Sequence, residues 1–464
     1  MFKTIVHSFR KAVLFINKLL IIAVTLAAYV FVLFEYYNEV LFYYKGNYII
    51  VFLYLIILLL FAGSYGCFRI GILRLYEIVC SYILAIFITN LITYFVLSLI
   101  AKTMLNPIPL GILAIFQCVI SCILYLAANK IYFKLYPARD CIVIYSASDK
   151  DKAIVKKFKS IKERYKICAI YKESEEYEYL ISKIDKHSAV ILGDIAEELR
   201  VKLISYCFEK DKRLYIVPTM QYILMNNAHE IQIKDSLIYM CKNRGFALEQ
   251  LAIKRFMDIA LSFIGIIILS PIMILTILAI KLQDGGQIFY KQKRLTRNGR
   301  TFTLIKFRSM IESAEPDGEA RFADINDSRI TKIGKFIRAT RIDEIPQLFN
   351  ILTGDMSLVG PRPERPEIFE EYCKVFPQFR YRLKVKAGLT GYAQIYGKYT
   401  TSLEDKVKMD LLYIEHCSII MDVRLLISTL KVVFMKKSTE GFSKEDLKLV
   451  GNVTKNIKVK TKKK

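Results

Sequence analysis

The chain has 464 residues, of which 54% are hydrophobic, contains no Trp and carries a formal net charge of +25 at pH 7. It is too apolar for an ordinary soluble protein and too basic to be indifferent to anions. Long apolar runs disfavour nucleic acid as the partner of this charge, whereas a membrane protein that meets anionic lipids or nucleotides combines both properties. The composition therefore indicates a membrane protein.

Four apolar segments predict a four-helix transmembrane bundle in residues 1–138. They lie at residues 19–34, 49–65, 76–100 and 110–127. At 1.5 Å per residue, a helix over each segment crosses or nearly crosses about 30 Å of hydrocarbon. The first segment also has the length of a signal peptide, but no small-residue cleavage site follows it and a second segment comes soon after.

The charges of the connecting loops predict the orientation of this bundle. Basic residues cluster before the first segment, between the second and third, and after the fourth, whereas the other two connections carry only Lys45 and Lys102. Both ends of the bundle should therefore face the cytoplasm. Asn90, inside the third segment, is a candidate either for a polar pathway or, more simply, for a hydrogen bond between helices.

Residues 139–247 predict a Rossmann-like cytosolic α/β domain. Short apolar runs at residues 141–145, 166–170, 188–192 and 213–217 alternate with charged helical stretches, as buried parallel strands do. The turn after the first run reads SASD and contains no glycine. Its backbone cannot approach a pyrophosphate as a glycine-rich loop does, which favours a structural or regulatory module.

An uncharged run at residues 259–280 opens the last part of the chain, residues 248–464. It is long enough to span a bilayer, but basic residues flank it on both sides, and a crossing would place everything after it outside the cell. The dipeptide Ser270-Pro271 offers another arrangement, because Pro removes one helix hydrogen bond and the Ser hydroxyl can bond the freed carbonyl. We predict a re-entrant helix over about residues 257–281 that breaks at this dipeptide, with a kinked fifth span as the alternative.

A β-hairpin is predicted next, from QIFYKQKRL and RTFTLIKFRSM joined through Arg297-Asn298-Gly299. Lys306 and Arg308 alternate with apolar neighbours, which suits either a solvated strand face or contacts to phosphate. Residues 313–332 are acidic and contain Pro and Gly, which predicts a mobile loop over the site.

The acidic pair Asp343 and Glu344 is the main candidate for chemistry. On spacing alone, Thr340-x-x-Asp343 fits a capping box at a helix start. Basic residues bracket the pair in the sequence, at Arg338, Arg341 and Arg362. This arrangement suits an anionic substrate whose phosphates need guanidinium partners and a metal-binding carboxylate.

Four collinear motifs extend around the pair: LIKFRSM (304–310), RIDEIPQLFN (341–350), GDMSLVGPRPERPE (354–367) and AGLTGYAQIYGK (387–398). With these motifs the chain resembles the bacterial sugar transferases, polyprenyl-phosphate glycosyl-1-phosphate transferases that start surface glycan synthesis. The resemblance is strong over residues 251–434 and only architectural before them, where it matches the long form with a membrane bundle and a Rossmann-like domain. It implies the same re-entrant helix, followed by a mainly helical catalytic domain.

The resemblance also implies a reaction. Asp343 would attack the β-phosphorus of a UDP-sugar and release UMP, after which undecaprenyl phosphate would accept the sugar phosphate. Glu344 would support a divalent ion, Mg²⁺ or Mn²⁺, or handle a proton, and both acids would be metal ligands. The transferred group would be a hexose-1-phosphate, from galactose or glucose, in the first membrane step of exopolysaccharide, capsule or O-antigen synthesis.

Further site residues follow from the same resemblance. The transferred phosphate would contact Arg338, Lys306 and Arg308, and the nucleotide would contact Pro361, Arg362 and Pro363. The expected location is the bacterial cytoplasmic (inner) membrane, as a multi-pass protein with its catalytic domain on the cytoplasmic face. Its partners would be the UDP-sugar, undecaprenyl phosphate and membrane lipids, with no nucleic acid, and a homodimer is compatible with the sequence.

Three features near the end of the chain carry further expectations. Gly388 and Gly391 indicate either a close approach of the backbone to a ligand or a tight turn. Residues 410–434 predict one helix, on the membrane surface or in the core. The lysine-rich tail, residues 455–464, predicts an arm drawn to anionic lipid.

Two other function classes stay open. A membrane sensor or scaffold would use the α/β domain for binding and would not need Asp343. A glycosyltransferase that moves the sugar without its phosphate would release UDP rather than UMP.

Overall fold

The computed structural model describes residues 2–37, 46–146, 149–241, 246–311, 327, 329–397 and 401–434. Most of the predicted acidic loop, Lys398 and the lysine-rich tail therefore lie outside the described residues. The chain divides into two compact units, Met1–Thr219 and Met220–Lys464. Residues 220–247 thus belong to the second unit rather than to the α/β domain, because Ile223 packs in the core of the second unit.

The first unit begins with four long helices, α1 (Phe2–Tyr36), α2 (Gly46–Ser64), α3 (Leu75–Ala101) and α4 (Ile108–Leu135). Each contains most or all of one predicted segment, and each is long and apolar enough to cross a membrane. Large apolar side chains such as Phe31, Phe52 and Leu99 point outward and are exposed. Such a surface is suited to lipid rather than water.

A buried polar network joins all four helices of the bundle. The Tyr54 hydroxyl of α2 donates to Asn90 Oδ1 of α3 (3.1 Å), and Asn90 Nδ2 donates to Gln117 Oε1 of α4 (3.0 Å). Gln117 Nε2 in turn donates to the Thr25 carbonyl of α1 (2.9 Å). Asn90 therefore makes hydrogen bonds between helices, which is the simpler of its two predicted roles.

A four-stranded parallel sheet with strand order β2-β1-β3-β4 follows the bundle. Its elements are β1 (Arg139–Tyr145), α5 (Asp149–Lys159), β2 (Tyr165–Lys172), α6 (Tyr177–Asp185), β3 (Ala189–Leu192), α7 (Glu197–Glu209) and β4 (Arg213–Ile216). Along β1, Cys141 and Val143 are buried on one face and Ile142 and Ile144 on the other. Because both faces of the central strands β1 and β3 are covered, these two strands read as continuous apolar runs, and the predicted α/β architecture is confirmed.

The second unit is mainly helical, with short strands. Its elements are α8 (Met220–Met225), β5 (His229–Ile233), β6 (Ser236–Met240), α9 (Leu248–Asp284), β7 (Phe289–Leu295), β8 (Thr301–Phe307), α10 (Lys332–Ala339), α11 (Gln347–Thr353), β9 (Ser357–Val359), α12 (Pro366–Val375), β10 (Gly388–Thr390), α13 (Tyr392–Tyr396), α14 (Leu403–Glu415) and α15 (Ile419–Phe434). Strands β7 and β8 pair antiparallel through the turn Arg297–Gly299, so the predicted hairpin is confirmed.

Helix α9 contains the predicted re-entrant segment. Its backbone is helical from Leu248 to Asp284. The predicted interruption of the helix at Ser270-Pro271 is therefore absent. The Ser270 hydroxyl donates to the Ile267 carbonyl (2.7 Å), the group that would have bonded an N–H at position 271. This side-chain bond replaces the missing backbone bond, which explains why Pro271 is tolerated inside a helix.

The two faces of α9 differ along its whole length. Lys254, Asp258, Met273 and Ile280 are buried against the second unit. Large apolar side chains on the other faces are exposed, at Phe256, Phe263, Ile268, Leu275 and Leu282. The helix is therefore attached to the unit on one side and presents an uninterrupted apolar surface on the other.

The prediction of one helix over residues 410–434 is wrong. The chain forms α14 and α15, separated at residues 416–418, and Asp422 is completely buried. Lys254 Nζ of α9 donates to Asp422 Oδ2 (2.5 Å) and to the Val359 carbonyl (3.2 Å), and the Tyr413 hydroxyl donates to Asp422 Oδ1 (2.8 Å). Asp422 therefore belongs to a buried ion pair that joins α9, β9 and α15, and α15 lies in the core, which is one of the two predicted locations.

Candidate active site

The acidic pair lies in a 3-10 turn, Ile342–Glu344, between α10 and α11. Arg341 precedes it in the left-handed conformation (φ 58°) and turns the chain sharply. Thr340 is the C-cap of α10, and its hydroxyl donates to the Phe336 carbonyl (2.8 Å). The capping-box interpretation is therefore wrong, because the pair belongs to a tight turn and not to the first turn of a helix.

Glu344 is fixed by three cationic side chains. Its carboxylate lies 3.1 Å from Lys306 Nζ, 3.0 Å from Arg362 Nη2 and 3.6 Å from Arg341 Nη1. Burial opposes its ionisation, but the charges of these three residues outweigh burial and hold the pKa of Glu344 well below its usual range. Glu344 is therefore an immobilised, permanently charged group.

Asp343 has the opposite character. Among the residues that the structure describes, its carboxylate has no hydrogen-bond or ion-pair partner. Burial, with a contribution from the charge of Glu344, raises the pKa of Asp343 to about 6, although the charges of Lys306, Arg338 and Arg362 oppose the rise. Adjacent carboxyl groups in different environments take different roles, and here Asp343 has free lone pairs for attack on an electrophile.

The structure assembles most, but not all, of the predicted phosphate-binding residues. Lys306 and Arg362 contact Glu344 directly. Arg338, in the last turn of α10, influences Asp343 through its charge without forming an ion pair among the described residues. Arg308 donates to Asp284 at the end of α9, and its contact with a substrate phosphate stays a prediction.

The Pro361-Arg362-Pro363 segment follows β9 and is held from behind. Arg382 Nη2 donates to the Arg362 carbonyl (3.1 Å), while Arg382 Nε donates to Asp410 Oδ2 (2.6 Å). A buried ion pair thus fixes the backbone of this segment, and the Arg362 side chain donates to Glu344.

The backbone of Gly360 approaches the strand that begins at Gly388. A Cβ atom on Gly388 would lie 2.0 Å from Gly360 N, and one on Gly391 would lie 2.1 Å from the Gly360 carbonyl oxygen. Contact between backbone segments therefore requires glycine at both positions.

Two clefts share Arg362 and Pro363 in their linings. One is also lined by residues that include Thr296, Pro361, Phe369 and Arg382. The other is lined by Arg294, Leu304, Lys306, Gln347, Arg362, Pro363 and Gly388. The second cleft is called here the cationic cleft. It lies next to Glu344, because Lys306 and Arg362 line the cleft and also bond to Glu344.

Comparison with known proteins places this arrangement in a family. Residues 249–436 match the family described as Bacterial sugar transferase. The uncharacterized sugar transferase EpsL of Bacillus subtilis is 35% identical over 189 residues, which cover 40% of this chain and 90% of that protein. The chain belongs to the bacterial sugar transferase family.

Other relatives of this sugar transferase have more specific names. The UDP-N-acetylgalactosamine-undecaprenyl-phosphate N-acetylgalactosaminephosphotransferase of Aeromonas hydrophila is 40% identical over 184 residues, 39% of this chain and 43% of that protein. The UDP-glucose:undecaprenyl-phosphate glucose-1-phosphate transferase of Escherichia coli is 37% identical over 191 residues, 40% of this chain and 41% of that protein. The match thus covers less than half of either relative.

The acidic pair of the sugar transferase offers limited ligands for a metal. Within the described part of the chain, no three His, Cys, Asp or Glu side chains lie together. The Glu344 oxygens face three cations, whereas the Asp343 oxygens are uncommitted. Mg²⁺ commonly binds through one or two carboxylates plus substrate phosphates, so Asp343 fits as a protein ligand for a metal that arrives with a phosphorylated substrate.

Sequence reasoning missed three residues of this site. Arg294, Gln347 and Arg382 were not singled out, although Gln347 lies within the RIDEIPQLFN motif. An alternating basic residue in a strand and a Gln after Pro are common patterns with no distinctive spacing. Only the folded chain shows that Arg294 and Gln347 share a cleft with Arg362.

Proposed function

We propose that this chain transfers a sugar-1-phosphate from a UDP-sugar to undecaprenyl phosphate, with release of UMP. The observation that carries the proposal is the asymmetry of the acidic pair, in which Asp343 is uncommitted while three cations fix Glu344. The names of the relatives support the reaction class, since they describe undecaprenyl-phosphate sugar-phosphate transferases.

The reaction proceeds in two displacements. An Asp343 carboxylate oxygen attacks the β-phosphorus of the UDP-sugar, and the bond from that phosphorus to the bridging oxygen breaks, so that UMP leaves. An oxygen of undecaprenyl phosphate then attacks the phosphorus of the aspartyl intermediate. The bond to Asp343 breaks, the carboxylate is restored, and the product is undecaprenyl diphosphate sugar.

The surrounding cations lower the barrier to bringing anions together. Arg338, whose charge acts on Asp343, would hold the transferred phosphate, and Lys306 and Arg362 would add positive charge beside Glu344. Glu344 keeps these cations in position and limits their net charge. A bound Mg²⁺ or Mn²⁺ would add charge neutralisation for the leaving phosphate.

Helix α9 is proposed to lie in the cytoplasmic leaflet. The second unit packs along one side of it, from Lys254 near its start to Ile280 near its end, so a crossing would draw the polar unit into the bilayer. The exposed apolar faces instead suit insertion on one side of the membrane. This placement sets Asp343 on the cytoplasmic face of a bacterial membrane, where a lipid phosphate and a soluble nucleotide meet.

Analysis of the nucleotide product tests the proposal. Purified protein, incubated with undecaprenyl phosphate and a panel of UDP-hexoses and UDP-N-acetylhexosamines, should release UMP with at least one donor. Release of UDP would favour transfer of the sugar alone. Absence of UMP with every donor would favour the sensor or scaffold.

A further inference from the structure

The cationic cleft contains two buried hydrogen-bond donors without acceptors. Gln347 is 4% exposed, and its Nε2 has no hydrogen-bond partner among the described residues. Arg294 Nε is also buried without a partner there, although its other nitrogens donate to the Pro363 carbonyl (3.2 Å) and to Gln292 Oε1 (2.5 Å). Buried N–H groups are rarely left unpaired, so two of them in one cleft indicate that an acceptor binds there.

The charge of the cleft specifies the kind of acceptor. Arg294, Lys306 and Arg362 line it; Glu344 pairs with the last two, whose charges also act on Asp343, and Glu364 lies 3.9 Å from Arg294. Burial, together with the charges of Arg362 and Arg365, lowers the pKa of Arg294 to about 10 in spite of Glu364. An anion rich in oxygen would pair with these cations and accept from both unpaired donors.

The position of the cleft specifies which anion. Neither acid of the pair lines it, but two of its lining residues, Lys306 and Arg362, bond to Glu344, so the cleft lies next to the pair without containing Asp343. A phosphorus atom under attack must touch Asp343, so the cleft receives the neighbouring group. In a sugar nucleotide, that neighbour is the second phosphate of the diphosphate.

We infer that the cationic cleft binds the phosphate that stays with the departing nucleotide, with Arg294 and Gln347 as donors to its oxygens. This inference rests on the proposed function and assigns its leaving group a binding site. It makes Arg294 and Gln347 binding residues for UMP both before and after the first displacement.

Binding of UMP and of uridine to the full-length protein in detergent tests the inference. Gln347→Met removes the unpaired amide donor with little change in size, and Arg294→Gln removes the guanidinium charge together with its unpaired Nε–H. Each should weaken UMP binding by about tenfold or more while leaving uridine binding unchanged. The Michaelis constant for undecaprenyl phosphate should also be unchanged. Lys293→Gln is the matched control, because Lys293 is exposed on the same strand, and it should bind UMP as the wild type does.

The results separate this inference from the function beneath it. If the wild type releases UMP but both variants bind it normally, the inference fails and the function stands. Equal losses of UMP and uridine would also overturn it, since they would indicate a general change of the site. If the wild type neither binds UMP nor releases it, both fail. Thermal unfolding identifies a variant that does not fold, and the other variant then decides.

Discussion

Replacing Asp343 by Asn separates the chemistry of this residue from its effect on stability. The substitution keeps the size of the side chain and removes both its nucleophilic oxygen and its charge. We predict that Asp343→Asn reduces UMP release to background and at the same time raises the melting temperature at pH 7. Few substitutions abolish activity and stabilise the fold, so the combination is diagnostic of a residue maintained for function.

The magnitude follows from the raised pKa. The pKa of Asp343 is about 6 in the folded chain, against an ordinary value of 3.8, so the folded state holds this proton more tightly than the unfolded state. Ionised Asp343 therefore destabilises the fold above pH 6, and the cost disappears as the pH falls towards 3.8. At about 1.4 kcal/mol per pH unit, the full cost is about 3 kcal/mol. For a unit of this size, it corresponds to a rise in melting temperature of about 6 to 12 °C.

The assay is thermal unfolding in detergent at pH 7 and pH 4, beside nucleotide analysis and intact mass. Wild-type protein quenched during turnover should carry a sugar-phosphate adduct on Asp343, and Asp343→Asn should carry none. Its stabilisation at pH 7 should largely vanish at pH 4. Asp355→Asn is the control, because Asp355 bonds Arg300 outside the clefts, and this change should neither stabilise the fold nor stop UMP release.

Two results would refute the reasoning. Retained UMP release by Asp343→Asn would show that another group attacks the phosphorus. A fall in melting temperature of Asp343→Asn at pH 7 would show that the ionised Asp343 makes contacts that stabilise the fold, so that its burial does not destabilise it.

Three further predictions concern other parts of the molecule. Adduct formation, measured by rapid quench, should increase as the pH rises through about 6. Glu344→Gln should lower the midpoint of this increase, because the charge of Glu344 raises the pKa of Asp343. An unchanged midpoint in this variant would contradict the prediction. Lys254→Met should destabilise the fold by about 3 to 5 kcal/mol, because it leaves Asp422 buried without its cationic partner. If this is the cause, adding Asp422→Leu should restore the melting temperature. Asn90→Leu should lower the stability of the bundle by about 1 kcal/mol, which thermal unfolding measures. It should leave UMP release by the second unit unchanged, which nucleotide analysis measures.

Several elements of the fold can be predicted from local patterns of residues. The first four long helices follow from runs of apolar residues, and the parallel sheet follows from short apolar runs between charged helices. The hairpin at Arg297–Gly299 follows from an Asn-Gly turn that accepts positive φ at both positions. In each case, neighbouring residues carry the information, because hydrophobic periodicity and turn chemistry act over a few positions.

The roles of the charged residues, in contrast, depend on contacts between segments that are distant in the chain. Arg308 and Lys306 are equivalent by pattern, yet one bonds Asp284 and the other Glu344. Asp343 and Glu344 are neighbours in the chain, yet only Glu344 is bonded to cations from β8 and from the segment after β9. The role of a charge depends on its burial and on the partners that distant segments bring to it, and these quantities exist only once the chain has folded.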